Sequence, residues 1–179
     1  MTTEASAPDL RYPIGQFDKD FEPASESRHD FIRTLAELST RLKTAVEGLS
    51  DEQMDTPYRP GGWTLRQTVH HLADSHMNAF VRFKLALTEV NPTIRPYDEN
   101  RWAMLADSRM PVDVSLRLIE DLHSRWVTLL NSMSHEAFQR KLVHPESGDW
   151  TLDKMLGLYA WHSRHHTAHI TSLREREGW

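Results

Sequence analysis

Four segments of the chain carry an apolar residue at every third or fourth position, and this spacing constrains the fold more than any other feature. A repeat of that period places the apolar side chains on one face of an α-helix. The segments run from about Ser25 to Leu49, from Thr64 to about Glu89, from Asp113 to Met133 and from Thr151 to about Glu175. No competing strand pattern is visible. The sequence therefore predicts an all-α protein.

The chain divides into a short N-terminal lead-in and one domain. Residues 1–22 contain prolines and acidic residues without clear periodicity, and we expect them to be extended. The length of 179 residues suits a single domain, which we place at residues 23–179. The stretch from Val90 to Pro111 is too long for a simple turn. It is predicted to cross over between two helix pairs.

Two parts of the sequence resemble each other. Each has a helix end, a short capped turn, a loop, and a tryptophan before a helix that starts with threonine. Trp63 and Thr64 form the first copy, and Trp150 and Thr151 the second. Shared capping residues alone would also explain this likeness, because helix–loop–helix units use the same caps. The matching order favours two helix pairs with approximate twofold symmetry in one bundle.

The composition excludes several classes of protein. The chain has no cysteine, which excludes a disulfide scaffold, a thiolate metal site and a cysteine nucleophile. A net charge of −5 argues against a general nucleic-acid binder. No window approaches the ~20 apolar residues of a membrane span, and the N-terminus lacks the features of a signal peptide. We therefore expect a cytoplasmic protein that binds neither nucleic acid nor membrane.

Histidine is the one unusual count: there are eleven, and four lie between His162 and His169. His162 and His166 are one helical turn apart on the inward face of the fourth helix. Two imidazoles at this spacing can bind one divalent ion at ~2.0–2.1 Å. His165 and His169 have the same spacing but face more to the side. Hydrogen-bonded core histidines are the alternative, yet several of them on one buried stripe would disfavour each other's charged forms.

A third ligand would have to come from another helix, and the second helix offers His70, His71 and His76. His76 lies on the main apolar stripe, whereas His71 lies to one side among small polar residues. Periodicity alone favours His76, but a polar face can also line a cavity. The residues themselves leave this choice open.

The segment Gly61–Gln67 is followed by His70, His71 and the tripeptide Leu-Ala-Asp that ends at Asp74, and it resembles the DinB/YfiT-like superfamily. Residues 95–99 and 161–169 share this resemblance, which runs from about Tyr12 onward and is closest to the YfiT branch. It implies a DinB-like up–down four-helix bundle with one long crossover. It also implies a homodimer and one divalent metal ion, zinc or else nickel.

The resemblance implies three metal ligands. One is His71, the histidine before Leu-Ala-Asp, and the others are His162 and His166 in the last helix. It thus selects His71 where the apolar periodicity favours His76. At these three positions the chain does not depart from the family pattern.

Three histidine ligands leave a position for water or a small-molecule substrate, which is typical of a catalytic zinc site. Such an ion lowers the pKa of water towards ~7, which fits metal-dependent hydrolysis, the activity usually given to the YfiT branch. The ion would also stabilise a thiolate. Transfer of a low-molecular-weight thiol, as in the bacillithiol- and mycothiol-dependent members, is therefore one alternative, and a non-catalytic metal-binding bundle is another.

No general base is evident, because Ser163 and Arg164 follow His162 where zinc proteases carry a glutamate. The candidate catalytic residues are Asp74, His165 and His169. Asp74 lies one turn beyond His71 and could orient that ligand, or it could be an exposed carboxylate. Arg82 is a candidate anchor for an anionic substrate, with a surface ion pair as the alternative.

Overall fold

The computed structural model describes residues 9–18 and 20–179. The predicted lead-in of residues 1–22 therefore lies partly outside the described residues. The long helices are α1 (Ser27–Val46), α3 (Leu65–Thr88), α5 (Asp113–Asn131) and α7 (Leu152–Glu177). The short helices are α2 (Asp51–Met54), α4 (Glu99–Trp102) and α6 (His135–Phe138), with a 3-10 helix at Ala106–Arg109. Strands β1 (Lys141–His144) and β2 (Gly148–Thr151) form an antiparallel hairpin.

The predicted four-helix bundle is confirmed, and the hairpin is the part of the architecture that the sequence did not predict. Helix α1 packs mainly against α5 and α7, and α3 packs mainly against the same two helices. Helices α1 and α3 therefore lie at opposite corners of the bundle, as do α5 and α7. Consequently α3 and α7, which carry the histidine motifs, are direct neighbours. Among the described residues, no helix combines the length and the apolar character needed to cross a membrane.

Helices α3 and α7 begin with the same local structure. The Thr64 hydroxyl accepts a hydrogen bond from the Gln67 N–H, and the Thr151 hydroxyl caps α7 in the same way. Before α3, a single bridge pairs Pro57 with Thr64, at the place that the β1–β2 hairpin occupies before α7. The likeness between the two halves of the sequence thus corresponds to a repeated loop that starts both helices.

The apolar core consists of two clusters with a layer of histidines between them. One cluster contains Phe83, Trp126 and Tyr159, and the other contains Leu72, Ile119 and Ile170. Along α3, α5 and α7, four histidines fall between the residues of one cluster and those of the other. His76, His123 and His166 are buried, and His162 is half-buried. The fold therefore places a polar layer across the middle of the bundle.

Candidate metal site

Helices α3 and α7 bring three predicted ligands together. His71, His162 and His166 each offer a ring nitrogen, and these nitrogens all lie within 4.8 Å of one another. The Nε2 atoms of His71 and His162 are 3.2 Å apart. The rings of His71 and His166 also meet, with centroids 4.8 Å apart. The i, i+4 spacing on α7 supplies two of the rings, and the neighbouring position of α3 supplies the third.

The geometry of this trio fits a divalent ion. Two nitrogens at ~2.0–2.1 Å from a tetrahedral zinc ion are about 3.3 Å apart, close to the spacing of the His71 and His162 Nε2 atoms. The Nδ1 atom of His166 is buried and has no hydrogen-bond partner among the described residues. One nitrogen of that ring is thus free of competing protein contacts. The donor set, three imidazoles without thiolate or carboxylate, suits zinc and nickel alike.

Burial keeps the three rings neutral. Desolvation, with a smaller contribution from the neighbouring His165 and His169, lowers the pKa of His71 to about 4. The same causes hold the pKa of His162 and of His166 well below the usual value of about 6.5. A neutral imidazole has one nitrogen lone pair available for a metal. At neutral pH the trio therefore presents ligand atoms rather than positive charges.

A pocket of about 380 Å³ opens onto the trio. The other residues around it include Trp63, Ser75, Arg82, Tyr97, His144 and Tyr159. The ring of Trp63 packs against that of His71, with centroids 4.5 Å apart. Trp63 therefore packs directly against the histidine trio.

Arg82 gives the pocket a positive charge. Among the described residues, no carboxylate lies within 4.0 Å of its guanidinium, so the surface ion pair considered from the sequence is not formed. Its Nη2 atom donates a long hydrogen bond of 3.4 Å to the carbonyl of Arg95. The Arg82 charge also lowers the pKa of His144, although burial is the larger cause. Exposed Glu99 and Glu146 lie at the same pocket.

Asp74 is half-buried and stands apart from the histidine trio. Among the described residues, its carboxylate accepts no hydrogen bond from His71, so the orienting contact considered from the sequence is not formed here. Burial, with a contribution from Asp107, raises the pKa of Asp74 to about 6. A carboxyl group with that pKa exchanges protons near neutrality, which leaves Asp74 a candidate acid or base.

His165 and His169, which the sequence places more towards the side of α7, are not exposed there. Their side chains are buried, with 6% and 2% of the surface exposed. The N-terminal segment covers them: the His169 Nε2–H donates to the carbonyl of Arg11 at 3.1 Å, and the His165 ring lies 5.9 Å from that of Tyr12. With His166 they form a second close trio, confined to α7. Periodicity missed their burial because the covering segment has no helical pattern.

The remaining candidate ligands on α3 have other partners. His70 donates from Nε2 to the carbonyl of Met110 at 2.9 Å and accepts from the Ser115 hydroxyl at 2.7 Å. His76, which periodicity favoured as a ligand, is fully buried and contacts the far side of the His162 ring, with 3.3 Å between its Nε2 and the His162 Nδ1. Behind it lies His123, which the sequence analysis missed. Its position between Ile119 and Trp126, on the inward face of α5, was the sequence signal that could have indicated its burial.

Comparisons with known proteins agree with this architecture. The family model of the DinB superfamily matches residues 34–170. A protein from Bacillus cereus (strain 03BB102), named provisionally as a metal-dependent hydrolase, is 56% identical over 171 residues, which span 96% of this chain and 99% of that protein. A protein of the same provisional name from Bacillus thuringiensis subsp. konkukian (strain 97-27) matches to the same extent.

Among solved structures, YfiT from Bacillus subtilis is 50% identical and superposes with a TM-score of 0.92, covering 95% of this chain and 98% of that one. It is described as a probable metal-dependent hydrolase with an unusual four-helix bundle topology. From the family match and these full-length similarities, we conclude that the chain belongs to the DinB superfamily.

Proposed function

We propose that this protein is a metal-dependent hydrolase that binds one divalent ion, zinc in the first instance, through His71, His162 and His166. The observation that carries the proposal is the convergence of three neutral imidazoles at a pocket, with two Nε2 atoms 3.2 Å apart. The similar Bacillus proteins, which are named provisionally as metal-dependent hydrolases, support it.

A bound ion would supply Lewis acidity and lower the pKa of a water molecule at its remaining position. The protein's own contribution is to hold three uncharged rings together without a carboxylate, so that the full charge of the ion is retained. Trp63 covers one side of the His71 ring and limits solvent access from that direction. Arg82 lies in the same pocket and would orient an anionic or strongly polar group of the substrate.

The size of the pocket supports a small-molecule substrate. A volume of about 380 Å³ lies at the lower end of the range for small-molecule sites. We propose an ester or amide that carries a carboxylate, because the Arg82 guanidinium has no carboxylate partner among the described residues. Asp74, His165 and His169 remain the candidates for an acid or base, and of these His165 lines the pocket.

The experiment combines metal analysis with a paired substrate panel. We expect about one equivalent of zinc or nickel in the purified protein, and its loss in His162→Ala and His166→Ala. Exposed His29, changed to alanine, is the matched control. Carboxylate-bearing esters should be hydrolysed faster than their neutral counterparts, and Arg82→Met should remove this preference while metal binding stays intact.

Other outcomes separate the alternatives. If product forms only when a low-molecular-weight thiol and an electrophile are both added, the protein is a thiol transferase at the same site. If metal binds but neither reaction is detected, the non-catalytic reading is favoured. Full metal content in His162→Ala together with His166→Ala would refute the proposed ligand set.

A further inference from the structure

Behind the metal-site trio, a line of hydrogen-bonded imidazoles crosses the core. The His162 Nδ1 atom lies 3.3 Å from the His76 Nε2, and the His76 Nδ1 lies 2.9 Å from the His123 Nε2. The line ends where the His123 Nδ1 meets the backbone carbonyl of Leu35 at 2.6 Å. It therefore links α7, α3, α5 and α1 in one chain of three hydrogen bonds, which we call the histidine chain.

The backbone carbonyl of Leu35, at the end of the histidine chain, determines the direction of every hydrogen bond in it. A carbonyl oxygen only accepts, so His123 must donate from Nδ1. A neutral imidazole carries one N–H, so the Nε2 of His123 is an acceptor and His76 must donate to it from Nδ1. By the same step, the Nε2 of His76 accepts and His162 donates from Nδ1. The Nε2 of His162 then keeps its lone pair on the side of the His71 ring.

Burial supports the neutral state on which this sequence of steps depends. His76 is 0% exposed and His123 is 3% exposed. Desolvation lowers the pKa of His123 to about 4. A second proton on either ring would place a charge in the apolar core, which is costly. Each ring therefore has a single N–H to place.

We propose that His76 and His123 are positioning residues that hold His162 in the tautomer whose Nε2 lone pair faces the metal. This inference rests on the proposed metal site. A metal-binding histidine commonly gives its other N–H to an acceptor that fixes the ring and its tautomer. Here that acceptor is a second imidazole, and the backbone of α1 determines its orientation.

The histidine chain orients the ligand and does not conduct protons. Its far end is a helix carbonyl, which can neither accept a transferred proton stably nor pass one on, and the rings beyond His162 are closed to solvent. Of the three ligands, only His162 has this support: the Nδ1 of His166 has no partner among the described residues. Loss of the histidine chain should therefore lower the affinity for the metal, because His162 would no longer be held in its ligand orientation.

The direct test is the protonation pattern of the rings in the metal-free full-length protein. Long-range ¹H–¹⁵N correlation spectra distinguish a protonated ring nitrogen from one with a lone pair. We expect His76, His123 and His162 all to carry the proton on Nδ1. An Nε2–H tautomer at any of the three overturns the proposal. This readout needs no metal, so a failure of the metal site itself would be recognised separately, as an absence of zinc binding in the wild-type protein.

The second test compares zinc affinities, measured by competition with a chromogenic chelator. His123→Phe fills the space but removes the acceptor for His76, and we expect an affinity loss of about 10-fold to 100-fold. His123→Gln provides an amide N–H for Leu35 and an oxygen for His76, and should retain most of the affinity. His70→Phe is the matched control, since it removes a buried, doubly hydrogen-bonded imidazole outside the histidine chain.

Equal affinities of wild type and His123→Phe would overturn the positioning role, as would equal losses in the Phe and Gln variants. If His123→Phe does not fold, the wild-type spectrum and the Gln variant still decide the question. The His70→Phe control separates a general loss of stability, expected in both phenylalanine variants, from a loss of metal affinity.

Discussion

Burial affects the acidic and basic residues near the site in opposite directions. It lowers the pKa of His71 to about 4, which keeps the ring neutral and available as a ligand. It raises the pKa of Asp74 to about 6, so the carboxylate is ionised at pH 7 only at a cost. Desolvation therefore favours metal binding at His71. Three positions further along α3, it makes the ionised form of Asp74 unfavourable.

This cost gives a prediction for Asp74→Asn. A carboxyl group whose pKa is higher in the folded than in the unfolded state lowers stability as pH rises from about 3.8 to about 6. The asparagine variant should therefore be more stable than wild type at pH 7.5, by on the order of 1 kcal/mol after allowance for partial exposure. Urea denaturation at pH 7.5 and pH 5.0 checks this. A gain that is larger at pH 5.0 would contradict the pKa assignment.

At the scale of elements, the predicted helices are present, with ends shifted by a few residues. Thr64 and Thr151 begin α3 and α7 as caps because a threonine hydroxyl replaces the missing acceptor for the first N–H groups. The β1–β2 hairpin was not predicted, since four-residue strands are too short for a period to be recognised. In the structure it lies directly before α7, where the corresponding loop before α3 has a single bridge.

The cap of α3 can be tested without touching the site. Thr64→Ala removes the acceptor for the Gln67 N–H, and we expect a loss of about 1 kcal/mol in the free energy of unfolding. Zinc affinity should change little, because the packing of α3 against α5 and α7 holds His71 in place. Thr128→Ala, an exposed change inside α5, is the control and should be nearly neutral. Equal losses in the two variants would show that the cap does not contribute.

At the scale of the whole molecule, the histidine layer makes the fold sensitive to acid. A buried histidine with a folded-state pKa of about 4 and an unfolded value of about 6.5 adds no pH dependence above pH 6.5. Below that pH the unfolded state takes up the proton first, so stability falls by about 1.4 kcal/mol per pH unit for each such group. The loss continues until about pH 4, where the folded state is also protonated.

The pH dependence contributed by one buried histidine can be measured by replacing His123. In the metal-free protein, the free energy of unfolding of His123→Gln should fall less steeply than that of wild type between pH 6.5 and 4.5, by about 1.4 kcal/mol per pH unit. Urea titrations at several pH values give this slope. The exposed His29, changed to glutamine, serves as the control. Parallel slopes for wild type and His123→Gln would rule out a neutral, buried His123.

The surface offers a basis for the expected homodimer. Among the described residues, most of the large exposed apolar side chains lie on α3 or between positions 104 and 118: Met77, Val81, Met104, Leu105, Met110, Val114 and Leu118. We propose this region as the contact with a second copy of the chain, because exposed apolar groups of this kind favour association.

Val81→Glu should shift the protein towards the monomer in sedimentation velocity experiments, because it places a charge among these side chains. Val90→Glu, which changes a valine that is 90% exposed in a loop, should leave the association state unchanged. A wild-type protein that sediments as a monomer at all concentrations would exclude the dimer.

The sequence by itself determined the helical fold, because a period of three to four apolar residues is a local property of each segment. It also determined the i, i+4 pair on α7, since that spacing depends on one helix alone. It could not choose between His71 and His76 without the family resemblance, because the choice depends on how α3 is rotated against α7. Only the tertiary structure revealed the burial of His165 and His169 and the role of His123, since these depend on contacts between segments distant in sequence.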